Sequence, residues 1–175
     1  MIILKKGVEE KCIYRVIKTI SKDKKEISNN SIFNLDVWNT FKEDIIKFEN
    51  IGIFIDSDQN FDASFEDLES LKIIQINFLT FKDGRPFSLA KNLRKKKSFK
   101  NQIRASGHIL PDQHGFLLRC GFDSVEIEKD NKDLWLKLHQ LNQSLNVKWN
   151  WVKAHAGDPL NEEVDMLAKK AANLN

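Results

Sequence analysis

At 175 residues, 41% of them apolar, the chain suits one ordinary globular domain, or one domain with an appended fragment. The formal net charge of +3, from 28 basic and 25 acidic residues, excludes a strongly polyanionic or polycationic protein and by itself names no partner. The longest mostly apolar stretch, Ile73–Phe81, is too short to cross a bilayer, and two cysteines, Cys12 and Cys120, make neither a disulfide framework nor a zinc site.

Charges in Met1–Lys11 interrupt the apolar run that a signal peptide needs, so a cytoplasmic protein with no membrane partner is expected. Residues 1–50 are lysine-rich, with a short apolar run at Cys12–Ile20 and Asn/Ser punctuation at Ser28–Ser31. Val37, Phe41, Ile45 and Phe48 are spaced four, four and three apart, which predicts an amphipathic helix over Asp36–Phe48. Ile51–Ile55 reads as a buried strand closed by an Asp56-Ser57-Asp58 turn. A short helix at Phe65–Leu71 and a second strand at Ile73–Phe81 follow.

Asp83-Gly84-Arg85-Pro86 is a turn, and Phe87–Lys97 a short helix. From Arg85 to Arg104 there are eight basic residues and no acidic one (Arg85, Lys91, Arg94, Lys95, Lys96, Lys97, Lys100, Arg104). Such a block suits an anion or nucleic acid, or else a solvated helix end whose lysines complement the helix dipole. Phe116–Cys120 reads as a helix stopped by Gly121, and Val125–Ile127 as a strand. Strands alternating with helices point to an α/β fold, a small mixed sheet with flanking helices.

Asp130-Asn131-Lys132-Asp133 is a polar break with the composition of a linker. Beyond it Leu134, Leu138, Leu141 and Leu145 mark an amphipathic helix over Asp133–Leu145. Val147–Val152 alternates as a strand with Trp149 and Trp151 on one face, and Asp158 caps a helix running from Pro159 to Ala172. Two domains are expected: 1–129, and a partial helix–strand–helix segment at 130–175.

Three features of that segment agree in type and spacing: the paired-Trp strand Val147–Val152, the His155-Ala156-Gly157 loop, and Asn161-x-x-x-Asp165-x-Leu167-Ala168. Together with Asp133-Leu134-Trp135, they resemble the C-terminal third of bacterial ribonuclease H over about 45 residues. In that family four carboxylates hold two Mg2+ ions that activate a water against an RNA phosphodiester. The resemblance implies Asp165 as a metal ligand, His155 as a helper in proton movement or product release, and Asn161 as part of the entrance. An RNA–DNA hybrid is the implied partner. The family's Asp-Gly-Ser segment, its helix-borne Glu and its Thr-Asp-Ser turn have no counterpart here, the nearest echo being Asp56-Ser57. One carboxylate does not hold two hard cations, so an incomplete nuclease centre is expected.

A second set of motifs lies upstream: Phe81-Lys82-Asp83-Gly84-Arg85-Pro86-Phe87-Ser88-Leu89-Ala90 with Leu93-Arg94, then Ile103-Arg104-Ala105-Ser106-Gly107-His108-Ile109-Leu110-Pro111-Asp112-Gln113, then Arg119-Cys120-Gly121-Phe122-Asp123. Residues 33–128 thereby resemble an uncharacterised bacterial family described as an oxidoreductase of sulfite reduction, departing from it at Pro86 and Pro111. The resemblance implies an accessory role in sulfur assimilation, with sulfite-reduction enzymes or an oxyanion as partner. No Gly-rich dinucleotide fingerprint and no cysteine cluster for siroheme or iron–sulfur ligation accompanies it.

Arg85, Arg94, Arg104 and Arg119 offer planar forks of donors for an oxyanion, with Asp83, Gly84, Ser88, Asp112 and Gln113 in the same motifs. The alternative is that they anchor loops by pairing with Asp83, Asp112 and Asp123. Cys120 is either a reactive thiol or a buried one. The functional expectation is a sulfur-assimilation accessory protein with an incomplete ribonuclease H remnant. The alternatives are a Mg2+-dependent nuclease acting on hybrids and a basic nucleic-acid-binding module.

Overall fold

The computed structural model describes residues 1–61, 64–145 and 157–172, which fall into two compact units, Met1–Leu145 and Asn146–Asn175. The predicted Val147–Val152 strand, its two tryptophans and His155 lie outside the described residues.

The first unit opens with a hairpin, β1 (Ile2–Lys5) and β2 (Val8–Glu10). Lys6 and Gly7 both have positive φ, the backbone that a two-residue hairpin turn requires. β3 (Arg15–Ile17) and β4 (Ser31–Asn34) follow, and Asn34 then caps α1 (Leu35–Ile45) by accepting from the Val37 amide at 3.0 Å. β5 (Gly52–Asp56) leads to α2 (Phe65–Ser70), whose Ser64 and Asp67 form a reciprocal capping box. β6 (Ile73–Phe78), α3 (Arg85–Lys95), β7 (Gln102–Gly107), α4 (His114–Cys120), β8 (Ser124–Ile127) and α5 (Lys132–Ser144) complete the unit.

The eight strands form one sheet in the order β2-β1-β8-β7-β6-β5-β4-β3. β3 to β8 are parallel and step across the sheet one neighbour at a time, while β1 runs antiparallel to both β2 and β8. Right-handed crossovers that advance in one direction put the helices that connect parallel strands on the same face. The core has that composition: Ile53, Ile55, Ile74, Ile76, Ile103 and Val125 of the sheet pack with Trp38, Leu68, Leu93, Leu117 and Trp135 of the helices. This is an α/β fold with a mixed sheet, as the alternation of elements implies.

The sheet is larger than the sequence indicates. The four N-terminal strands and β7 give no clear period-2 signal, because all four are only three or four residues long, two of them at the sheet edges, and β7 carries Arg104 at a buried position. No linker separates residue 130 from what precedes it either. A turn at Lys129–Asn131 runs directly from β8 into α5, and that helix packs with the first unit.

The buried side of α5 is also not its leucine stripe. Trp135 and His139 are its buried residues, whereas Leu134, Leu141 and Leu145 are exposed. In the second unit, α6 (Pro159–Ala172) starts as the sequence indicates, with Asp158 accepting from the Asn161 amide at 3.0 Å. Leu160, Val164 and Leu167 lie exposed along one side of it.

Candidate functional site

Parallel α/β sheets present their ligand sites beyond the carboxyl ends of the strands, where the connecting loops diverge. In this chain a cleft of about 480 Å3 starts there, lined by the Ser57–Phe61 loop after β5, Asp58 included, and by Arg85 at the start of α3, and it runs along that helix past Leu68 of α2 to Lys96 and Lys97 just beyond the helix end. Arg85 opens α3, directly after the β6–α3 turn. Its guanidinium makes a fork with Asp83 (Nε to Oδ1 2.9 Å, Nη2 to Oδ2 2.7 Å), and the Arg85 backbone amide donates to the same carboxylate at 3.0 Å. That guanidinium holds the Asp83 carboxyl well below the usual carboxylate range. The fork leaves Arg85 itself 63% exposed, held as a fixed cation at the cleft.

The remaining candidate residues are dispersed. Gly84 caps α3 with an ordinary negative φ and open space around it, and Ser88 is exposed on that helix. Arg94 is spent on structure. Its Nε donates to the Gly121 carbonyl (2.9 Å), Nη1 to the carbonyls of Phe99 (2.7 Å) and Asn101 (2.8 Å), and Nη2 to Asp123 (2.5 Å). Gly121 belongs to the same joint. It ends α4 at φ +102°, and a Cβ there would sit 2.6 Å from Arg94 Cγ.

Gln113 ties two loops, accepting from the Leu110 amide (3.1 Å) and donating to the Phe81 carbonyl (2.9 Å), while Asp112 is exposed. Arg119 is exposed over the Phe116 ring. Cys120 is 3% exposed, and burial pushes its thiol pKa up, the opposite of what a reactive thiol needs.

Arg104 differs from all of these. It is 3% exposed and stands on the sheet face away from the helices, in a row with Phe54, Gln75 and Ser124. The spacing of the basic block gave no hint that its members part in this way: Lys96 and Lys97 reach the cleft, Arg94 the α3–α4 joint, and Arg104 the opposite face.

In the second unit, Asp165 accepts from Lys169 at 2.6 Å, an i,i+4 pair on the surface of α6. Among the described residues no three His, Cys, Asp or Glu side chains come together to hold a metal ion, so the described residues do not fit a two-Mg2+ centre.

Fold and cleft thus define an α/β protein with one face of helices and a cleft that starts beyond β5 and β6 and is lined by Arg85, Lys96 and Lys97 together with Asp58 and apolar side chains of α2 and α3. Residues 52–149 match the family described as bacterial protein of unknown function (DUF934), and the chain belongs to that family. The match runs through α5, the helix that carries Trp135 into the core.

The chain is also similar to part of ribonuclease H. It is 60% identical over 42 residues to the enzyme of Treponema pallidum subsp. pallidum, covering 24% of this chain and 25% of that protein. It is 50% identical over 53 residues to that of Xanthomonas axonopodis pv. citri, covering 30% and 33%. With that of Shewanella putrefaciens the figures are 39% over 62 residues, 35% and 40%. The chain therefore spans between a quarter and two-fifths of these curated relatives. No solved structure matches. The composite character read from the motifs is thereby established. Among the described residues no helix is long and apolar enough to cross a membrane.

Proposed function

We propose that this protein is a non-catalytic accessory protein of sulfur assimilation that holds a small oxyanion in the cleft beyond β5 and β6, and that its C-terminal segment is a ribonuclease H remnant without cleavage activity. The observation that carries the reading is the Arg85 cation, oriented by Asp83 at the start of the cleft, with Lys96 and Lys97 adding positive charge at the cleft's far end. A guanidinium already oriented by Asp83 loses little further freedom on meeting an anion. The Arg85 end of the cleft lies beyond the strand ends, which supports a ligand site there. The sulfur assignment rests on the motif resemblance of residues 33–128. The remnant reading rests on the short span of similarity to ribonuclease H and on the engagement of Asp165 with Lys169.

Two measurements test it. Calorimetric titration with sulfite, and with sulfate for comparison, is expected to give saturable binding that Arg85→Ala weakens about tenfold or more, the worth of one charge-assisted fork. Binding unaffected by Arg85→Ala removes the cleft from the account. In parallel, the protein and its Asp165→Asn variant are incubated with an RNA–DNA hybrid in Mg2+ and in Mn2+. Equal inactivity is expected; cleavage by the parent alone makes the protein a metal-dependent nuclease and overturns the remnant reading.

A further inference from the structure

On the sheet face away from the helices, polar side chains fill positions where a two-sided α/β sheet ordinarily buries aliphatic ones. Gln75, Arg104, Ser106 and Ser124 are each at most 4% exposed. Gln75 donates to Glu126 at 2.9 Å. Asn77, beside Ser106 in register, donates to Asp56 at 2.7 Å.

Arg104 and Ser106 depart from this pairing. Among the described residues Arg104 Nη1 has two contacts, both long, at 3.5 Å to the Gln75 carbonyl oxygen and 3.5 Å to the Cys12 sulfur. Its buried Nε has no partner among the described residues, and neither has Ser106 Oγ two residues along the same strand. Tyr14 lies over the guanidinium, 5.7 Å from its ring centroid, and Arg104 forms no ion pair with a described carboxylate. A buried, permanently charged guanidinium with an idle donor is costly unless an anion completes it. Cys12 and Tyr14, in the stretch between β2 and β3, lie against it, and Cys12 is exposed.

We propose that Arg104, with Ser106 behind it and Cys12 at its mouth, forms a second anion site, on the opposite side of the sheet from the cleft, that takes a small oxyanion: a carboxylate or a tetrahedral sulfur or phosphorus oxyanion. The guanidinium supplies a fork of N–H donors, the Ser106 hydroxyl a further donor, and the Tyr14 ring shields the pair from water, which strengthens it. This site stands independently of the reading of the cleft, because it shares no residue with it.

Cys12 gives a readout at the site itself, with the buried Cys120 as an internal reference. The full-length protein is alkylated with anionic iodoacetate and with neutral iodoacetamide, and peptide mapping follows each cysteine. Relative to the urea-unfolded chain, Cys12 in the folded protein is expected to favour iodoacetate over iodoacetamide about threefold or more, since a guanidinium a few ångströms away attracts the anion. Sodium sulfate and sodium acetate are each expected to suppress that preference saturably against sodium chloride of equal ionic strength. Arg104→Gln is expected to abolish the preference. Arg104→Lys, which keeps the charge but not the fork, is expected to retain part of it. An unchanged reagent ratio on folding, or suppression by chloride equal to that by both oxyanions, overturns the proposal, and both outcomes are read on the parent protein whether or not the variants fold.

Discussion

Arg94 and Arg104 lie ten residues apart in one basic block, and the fold gives them opposite fates. Every donor nitrogen of Arg94 has a carbonyl or carboxylate partner within 2.9 Å, whereas Arg104 keeps a buried Nε without one. The residue scale also holds a titration that the sequence did not announce. His114 Nε2 and His139 Nδ1 are 3.0 Å apart, Gln143 Nε2 lies 2.9 Å from His139 Nε2, and Trp135 packs edge-on against His114.

With the Gln143 amide donating, Nδ1–H of His139 donates to His114, whose own Nδ1 is buried without a partner. Burial, and secondarily the neighbouring His139, lower the His114 pKa to about 4. The folded state therefore prefers the neutral ring. Its contribution is complete above the unfolded value near 6.5 and is lost as pH falls through the window from about 6.5 to about 4. Urea unfolding at pH 7 and pH 4.5 is expected to show a loss of about 2 kcal/mol attributable to this ring, and His114→Gln should flatten the profile across that window. An unaltered profile in the variant would place the acid sensitivity elsewhere.

At the scale of elements, α5 shows how a strong pattern misdirects. The leucines at 134, 138, 141 and 145 form the more regular stripe, but Trp135 and His139, four residues apart on another side, are the ones buried. Tryptophan carries the larger apolar surface, and its burial against His114 fixes which way the helix faces. Gly7 assists: His139 packs so closely on it that a Cβ would sit 2.1 Å from His139 Cδ2, and its φ of +74° suits the hairpin turn as well. Trp135→Ala is expected to cost about 3–5 kcal/mol in urea unfolding, while Leu141→Ala changes stability by no more than about 0.5 kcal/mol. Comparable costs would show that the leucine stripe is the packed face after all.

For the whole molecule, the first unit holds the complete described core from Leu4 to Trp135, including every strand that pairs in the sheet. Residues 1–145 alone are therefore expected to unfold in one cooperative transition, by coincident far-UV and near-UV circular dichroism. The same experiment on residues 1–129, the unit that the motif boundary suggests, is expected to lose near-UV ellipticity, because it removes Trp135 and leaves its socket open to water. A natively cooperative 1–129 fragment would show that α5 is dispensable.

Much of this protein was determined by sequence alone. Period-2 and period-3.6 patterns, cap residues and turn glycines are local, so they placed α1, α2, α3, α5, α6, β5 and β6 to within a few residues. The motif spacing also revealed the composite of a DUF934 unit and a ribonuclease H-like segment. Only the tertiary structure decided which cations face the cleft, which hold a joint and which are buried behind the sheet, which side of α5 is buried, and that the N-terminal fifty residues supply half of the strands. Those outcomes depend on contacts between residues distant in the chain, such as Arg104 with Cys12 and His114 with His139, and no local periodicity encodes them.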